Sequence, residues 1–296
     1  MRMLLLLLAL LPACSPHSGS APRAQTSLAT RTDLPLLGGS HPRIQAELAG
    51  RKPIVLMVDT GAELTVLSTA CARAHELALE PFQASAGLPS AMAGRPIEHC
   101  ALVPELALGA ARATNLRVAL VDFTGLDHLA NVDGILGQDL LRTWFAVLDG
   151  PGQRLILLPR CTIEEGFGQL FAGRTGALRF DVDWRLGVPL VRLPLGAAGD
   201  VEFVIDTGAN FLCLPPNAID ALGLQPLRRD RVHTLEGEVE REVYELPRTQ
   251  AGALTIWGDV QSWDYGVLGW SVLSGFVLAQ EGKDGVVLLV DRPSWK

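Results

Sequence analysis

Clustered positive charge is missing from this sequence. Its formal charge is -7 and its pI near 5.4, and its arginines are scattered rather than grouped as a phosphate backbone requires, so no nucleic-acid partner is expected. Metal-type spacing is missing as well. None of the five cysteines stands within a few residues of another, and His75-Glu76 lacks the second His of a zinc helix. There is no Gly-x-Ser-x-Gly elbow, no phosphate-binding Gly loop ending in Lys, and no sustained helical period. With 48% apolar and 19% charged residues over 296 positions, the chain is nevertheless too apolar to be disordered and long enough for substantial cores.

The apolar run Met3 to Leu11, preceded by Arg2, is too short for a membrane span of about 20 residues and reads as a secretory signal. Leu11-Pro12-Ala13-Cys14 then resembles the lipobox of bacterial lipoproteins. That resemblance implies cleavage before Cys14, lipidation of Cys14 and, with Ser15 following, a protein exported across the inner membrane and held at the outer membrane facing the periplasm. Ser15 to Asp33, rich in Ser, Ala, Thr and Pro, is expected to be a flexible tether. The remaining cysteines, Cys71, Cys100, Cys161 and Cys213, allow three pairings or none; a Cys71–Cys100 bridge is the one favoured, because both lie in the first half.

What is present, twice, is an Asp-Thr-Gly-Ala turn directly after an apolar run: Met57 to Ala62 and Val204 to Ala209. One Asp-Thr-Gly triplet should arise by chance in roughly one chain in twenty of this length, but two with matching flanks should not. The preceding runs, Ile54 to Val58 and Val201 to Ile205, are short and rich in β-branched residues, as buried strands are. Each delivers a carboxylate into an interior. Burying an ionised Asp is costly unless it is hydrogen-bonded or shares its proton, so a chain that does this twice is expected to bring Asp59 and Asp206 together.

The repetition extends well beyond the turn. A shift of 147 residues aligns Pro42–Ala62 with Pro189–Ala209 without a gap, and a shift of 132 aligns Gly134-Ile135-Leu136-Gly137 with Gly266-Val267-Leu268-Gly269. The second copy is therefore 15 residues shorter in its middle, where loops are tolerated. Between the blocks, Gln83 to His99 and Val232 to Leu246 read as exposed hairpins with Gly94 and Gly237 at their tips. Trp257, Trp263 and Trp270 are expected in the core of the second half, with one possible pocket wall among them, and Tyr244 is expected to pack at the base of its hairpin.

Apolar-apolar-Asp-Thr-Gly-Ala, a polar hairpin and then apolar-apolar-Gly resemble the aspartic proteases of the retropepsin and pepsin type, over about Asp33 to Arg292. The Ala after each Gly favours the retropepsin side. The resemblance implies an all-β fold of two homologous barrel-like lobes with a cleft between them. The expected organisation is a signal at 1–13, a tether at 14–32, a lobe at 33–160, a connection at 161–176 and a lobe at 177–296. Asp59 and Asp206 would be the catalytic dyad, sharing one proton and activating a water. Thr60 and Thr207 would interlock across the halves, Gly61 and Gly208 would let the backbone pass close to the carboxylates, and Gly137 and Gly269 would pack beneath the Asp loops. The hairpins would be flaps over an extended peptide or protein substrate. No cofactor or metal is called for, and a monomer is expected because one chain carries both Asp copies. The alternative is a lipid-anchored peptide-binding or scaffold protein that keeps the fold without activity.

Overall fold

The structure, a computed structural model, describes residues 24–50, 52–82, 91–92, 95–126, 129–171, 177–184, 187–234, 237–281 and 286–291. The expected lipidation site Cys14, and Gly94, lie outside these residues. Among the described residues no helix is long and apolar enough to cross a membrane.

The repeat seen in the sequence is a repeat of strands. The first half contributes β1 (Arg43–Leu48), β2 (Pro53–Val58), β3 (Val66–Ser68), β4 (His99–Leu108), β5 (Ala111–Val121) and β6 (Gly134–Leu136). The second contributes β7 (Leu190–Pro194), β8 (Asp200–Ile205), β9 (Leu212–Leu214), β10 (Gly237–Ala251), β11 (Leu254–Ser262) and β12 (Gly266–Leu268). Neighbours in the first barrel run β1-β2-β6-β3-β5-β4, and in the second β7-β8-β12-β9-β11-β10. Each strand of the second set is the counterpart of the one six labels earlier. The first barrel closes by pairing Glu47 with Ala107 and Leu48 with Leu106; the second closes only by a single bridge, Leu195 to Ala251.

Alternation explains which residues face inward. In β1 Ile44, Ala46 and Leu48 are buried between more exposed neighbours, and in β8 Val201, Phe203 and Ile205 are. The helices recur at the same shifts: α1 (Thr69–Ala74) with α4 (Pro216–Ala221), and α2 (Gln138–Leu141) with α5 (Trp270–Leu273).

A third sheet joins the halves. Its order is Ala177–Asp181, Val286–Asp291, Phe276–Gln280, Phe145–Asp149, Arg154–Leu158, Thr32–Pro35. At its centre Val147 pairs with Ala279, its own counterpart at the 132-residue shift. A pseudo-twofold axis therefore passes through this pair, and the two lobes share one continuous sheet beneath the cleft. Sequence reading had two barrels and no bridge.

Other expectations need correction. Part of the span 14–32 expected to be a flexible tether is sheet instead: Gln25–Ser27 pairs with Arg112–Thr114 of β5, and Thr32–Pro35 is an edge of the third sheet. The connection at 161–176 carries the longest helix described, α3 (Ile163–Phe171), held where a Cβ on Gly166 would strike the ring of Phe145. Cys71 and Cys100 are not bridged; all four cysteines are free. Cys71 is buried on α1, whereas the Cys100 sulfur accepts from Arg117 Nη2 at 3.0 Å. Trp257 is 55% exposed on the outer side of β11, under Arg248 at 4.6 Å, while Trp270 is buried as expected. Tyr244 packs where expected, opposite Pro226 at the hairpin base.

Candidate active site

Both Asp-Thr-Gly-Ala turns lie where a barrel strand ends against its parallel neighbour. β6 runs parallel to β2, and β12 to β8, so that Asp59 N donates to Leu136 O and Asp206 N to Leu268 O, each at 3.1 Å. The two loops meet across the pseudo-twofold axis. Thr60 N donates to Thr207 Oγ1 and Thr207 N to Thr60 Oγ1, each at 3.0 Å. The hydroxyls donate onward across the axis, Thr60 Oγ1 to Ile205 O and Thr207 Oγ1 to Val58 O, each at 2.7 Å. Both threonines are almost fully buried, so four backbone groups that water cannot reach are satisfied by two side chains.

The glycines act on the opposite carboxyl. A Cβ on Gly61 would lie 2.5 Å from Asp206 Oδ1, and one on Gly208 would lie 2.6 Å from Asp59 Oδ1. Each Gly N–H also donates to its own Asp, at 2.8 Å to Asp59 Oδ1 and 2.9 Å to Asp206 Oδ1. Only a residue without a Cβ can hold its own carboxyl while lying against its partner's. Gly137 and Gly269 are packed beneath: a Cβ there would collide with the backbone of Leu64 and of Phe211.

Each carboxyl therefore lies against the other half's Asp loop, and Asp59 and Asp206 share one site. Burial raises the pKa of both above the ordinary carboxylate range, and the charge of Asp206 raises that of Asp59 further. Opposing this are the backbone N–H donors, including Ala209 N to Asp206 Oδ1 at 3.0 Å. Removing both protons would place two like charges in one buried site, so the pair titrates as a unit.

Two supporting features had no signal in the sequence. Gln138, buried at the start of α2, donates from Nε2 to Thr60 O at 3.0 Å and exchanges amide hydrogen bonds with buried Gln280 at 3.1 and 3.3 Å. The two residues are 142 positions apart and come together only through the bridging sheet. Asp139 collects Thr65 N, Thr65 Oγ1 and Leu140 N on a single oxygen, Oδ1, at 2.8, 2.6 and 2.9 Å. Its burial raises its pKa to about 6 against those donors. The counterparts of Asp139 and Thr65 are Ser271 and Leu212, so this network exists in one lobe only.

Two cavities flank the dyad. The larger, about 620 Å³, is lined by Glu63, Gln138, Asp139, Arg142 and Gly187 among others. The smaller, about 300 Å³, is lined by their counterparts Asn210, Trp270, Ser271, Ser274 and Ser40. Neither is lined by the dyad itself. Of the expected flaps, Ala91–Met92 pairs with Arg95–Pro96, and the expected tip Gly94 lies outside the described residues. In the longer hairpin Thr234 pairs with Gly237, so Gly237 is in the returning strand rather than at the tip. Among the described residues no group of three His, Cys, Asp or Glu side chains could hold a metal.

A family model described as aspartyl protease matches residues 44–140 and 195–270, more than half of the chain, with one Asp-Thr-Gly turn in the first region and the other in the second. No curated protein matches it. With the all-β two-lobed fold and its two Asp loops in place, the chain belongs to the aspartyl protease family.

Proposed function

We propose that this protein is an endopeptidase in which Asp59 and Asp206 form one catalytic dyad. The observation that carries the reading is the meeting of the two Asp loops, each carboxyl lying against the other half's Gly and the loops held by reciprocal Thr hydrogen bonds. With one proton shared, the ionised member takes a proton from a bound water as that water attacks the peptide carbonyl. The protonated member donates to the developing oxyanion. Thr60 and Thr207 hold the carboxyls in one plane, and the two expected flap hairpins cover an extended substrate. Because burial holds the dyad pKa values up, its singly protonated form extends toward neutral pH, and activity falls as the second proton is lost.

In the same reading Cys14 carries a lipid and the enzyme stands off a membrane on residues preceding Gln25. Metabolic labelling with a fatty acid should label the wild type and not Cys14→Ser. The function is tested by incubating purified protein with a broad peptide library from pH 3 to 7. Internal cleavage is expected, with apolar residues near the cut. Binding without cleavage at any pH would identify a peptide-binding protein instead.

A further inference from the structure

The barrel face beside each Asp loop is covered differently in the two lobes. In the first, β5 and β6 are joined by residues 122–133, and Phe123, Leu126, Leu129 and Val132 pack over Met57, Ala62, Val66 and Ile135. In the second, β11 and β12 are joined by residues 263–265 alone. The counterpart of Val66 is Cys213, opposite Gln261 on β11, which is opposite Val243 on β10. Directly opposed residues share a face, and Arg241 is on that face two residues from Val243. Among the described residues no apolar roof of the first lobe's kind covers it.

What stands there instead is polar and aromatic. Trp263, placed by its N–H bond to Leu214 O at 3.0 Å, lies under the Arg241 guanidinium at 4.4 Å. Tyr265 is 37% exposed at the entrance to β12, the strand that runs beneath Asp206. Among the described residues Arg241 makes no ion pair, and its Nε is buried without a partner. The acid directly across from it, Asp230, is held by Arg228 at 2.9 Å. A guanidinium seated on an indole, on the longer hairpin of the second lobe and without an acid partner among the described residues, is suited to receive a planar anion.

Resting on the endopeptidase reading for its substrate, we propose that Arg241, seated on Trp263, is a specificity-determining residue that receives a carboxylate of the bound peptide on the C-terminal lobe's side of the cleft. That carboxylate comes from an Asp or Glu side chain or from the peptide's own C-terminus. Arg241 shares the face of Val243, Gln261 and Cys213, and Cys213 pairs with Val267 of the strand beside the Asp206 loop, so the carboxylate is received away from the scissile bond on that lobe.

Affinity separates this inference from turnover. Fluorescent apolar peptides, with one Gln at each position in turn exchanged for Glu and with free or amidated C-termini, are titrated against the Asp59→Asn protein. One Glu position, or the free C-terminus, should bind about tenfold more tightly than its neutral match. Adding Arg241→Gln should bring that ratio to about one, and adding Arg241→Glu should invert it in favour of Lys at the same position. Ratios taken within one protein cancel any general loss from the substitution. Equal binding of charged and neutral matches, or a ratio that survives Arg241→Gln, overturns the inference. Loss of cleavage by the wild type across the library overturns the endopeptidase reading and leaves the binding ratios standing as their own result.

Discussion

The N-terminal and C-terminal barrels have the same strand order, the same two short helices and the same Asp loop, yet they are not equally built. The first is closed by two residue pairs between β1 and β4, carries the Asp139–Thr65 network under its loop and roofs the adjoining face with an apolar cluster. The second is closed by one bridge, replaces Asp139 and Thr65 with Ser271 and Leu212, and leaves Arg241, Trp263 and Tyr265 on the corresponding face. Where the halves touch, at Thr60 and Thr207, symmetry is kept to a tenth of an ångström. Away from that contact it is lost. Two loops that exchange hydrogen bonds across the axis are constrained to match, whereas faces that do not meet are not.

The strongest way to break the symmetric part is to fill the space between a Gly and the opposite carboxyl. Gly61→Ala and Gly208→Ala should each reduce kcat/KM by at least about 10²-fold, since an ångström of misplacement costs that much. Equal losses would show that the copies contribute alike; a tolerated Ala in one copy would show that they do not. Next is the threonine interlock. Thr60→Val should orphan Thr207 N and Ile205 O, and Thr207→Val the matching pair, costing about 2–4 kcal/mol in urea unfolding, while Thr→Ser at either site should retain most of it.

The asymmetric part can be sharpened through Asp139. Its folded pKa of about 6 lies above the ordinary value of 3.8, so the folded protein binds the proton more tightly than the unfolded chain between those pH values. Stability from this group is fully present below about pH 4 and is lost as pH rises through about 6, by at most about 3 kcal/mol. Asp139→Asn keeps the Oδ1 acceptor and should flatten that slope in melting curves taken from pH 4 to 7. An unchanged slope would assign it to other carboxyls. The smallest effect is the coupling of Gln138 with Gln280. Gln138→Leu and Gln280→Leu should each destabilise, and the double variant should recover about 1 kcal/mol relative to their sum.

Much of this molecule is written locally. The 147-residue match extends over β1, β2 and the Asp loop, and both helix pairs recur at the shifts read from sequence, because strand, turn and helix are each set by neighbours a few residues away. The bridging sheet was not legible. Its central pairing is of Val147 with its own counterpart Ala279, and alternation within either strand says nothing about which distant strand completes it. Gln138 and Gln280 were hidden for the same reason. Trp257 was misplaced because a large aromatic on an apolar strand reads as core, while its stacking on Arg248 keeps it at the surface. The shortening of the second copy was visible, but its effect depends on where it falls. At residues 263–265 it takes away a roof.

Whether Asp59 and Asp206 act as one group is tested directly by the non-additivity of their removal. Cleavage of one library-selected peptide is measured for Asp59→Asn, Asp206→Asn and the double variant, with folding checked by melting. A single dyad predicts that either substitution alone abolishes turnover and that the second adds no further loss. Turnover retained by either single variant, with a further drop in the double, would contradict it.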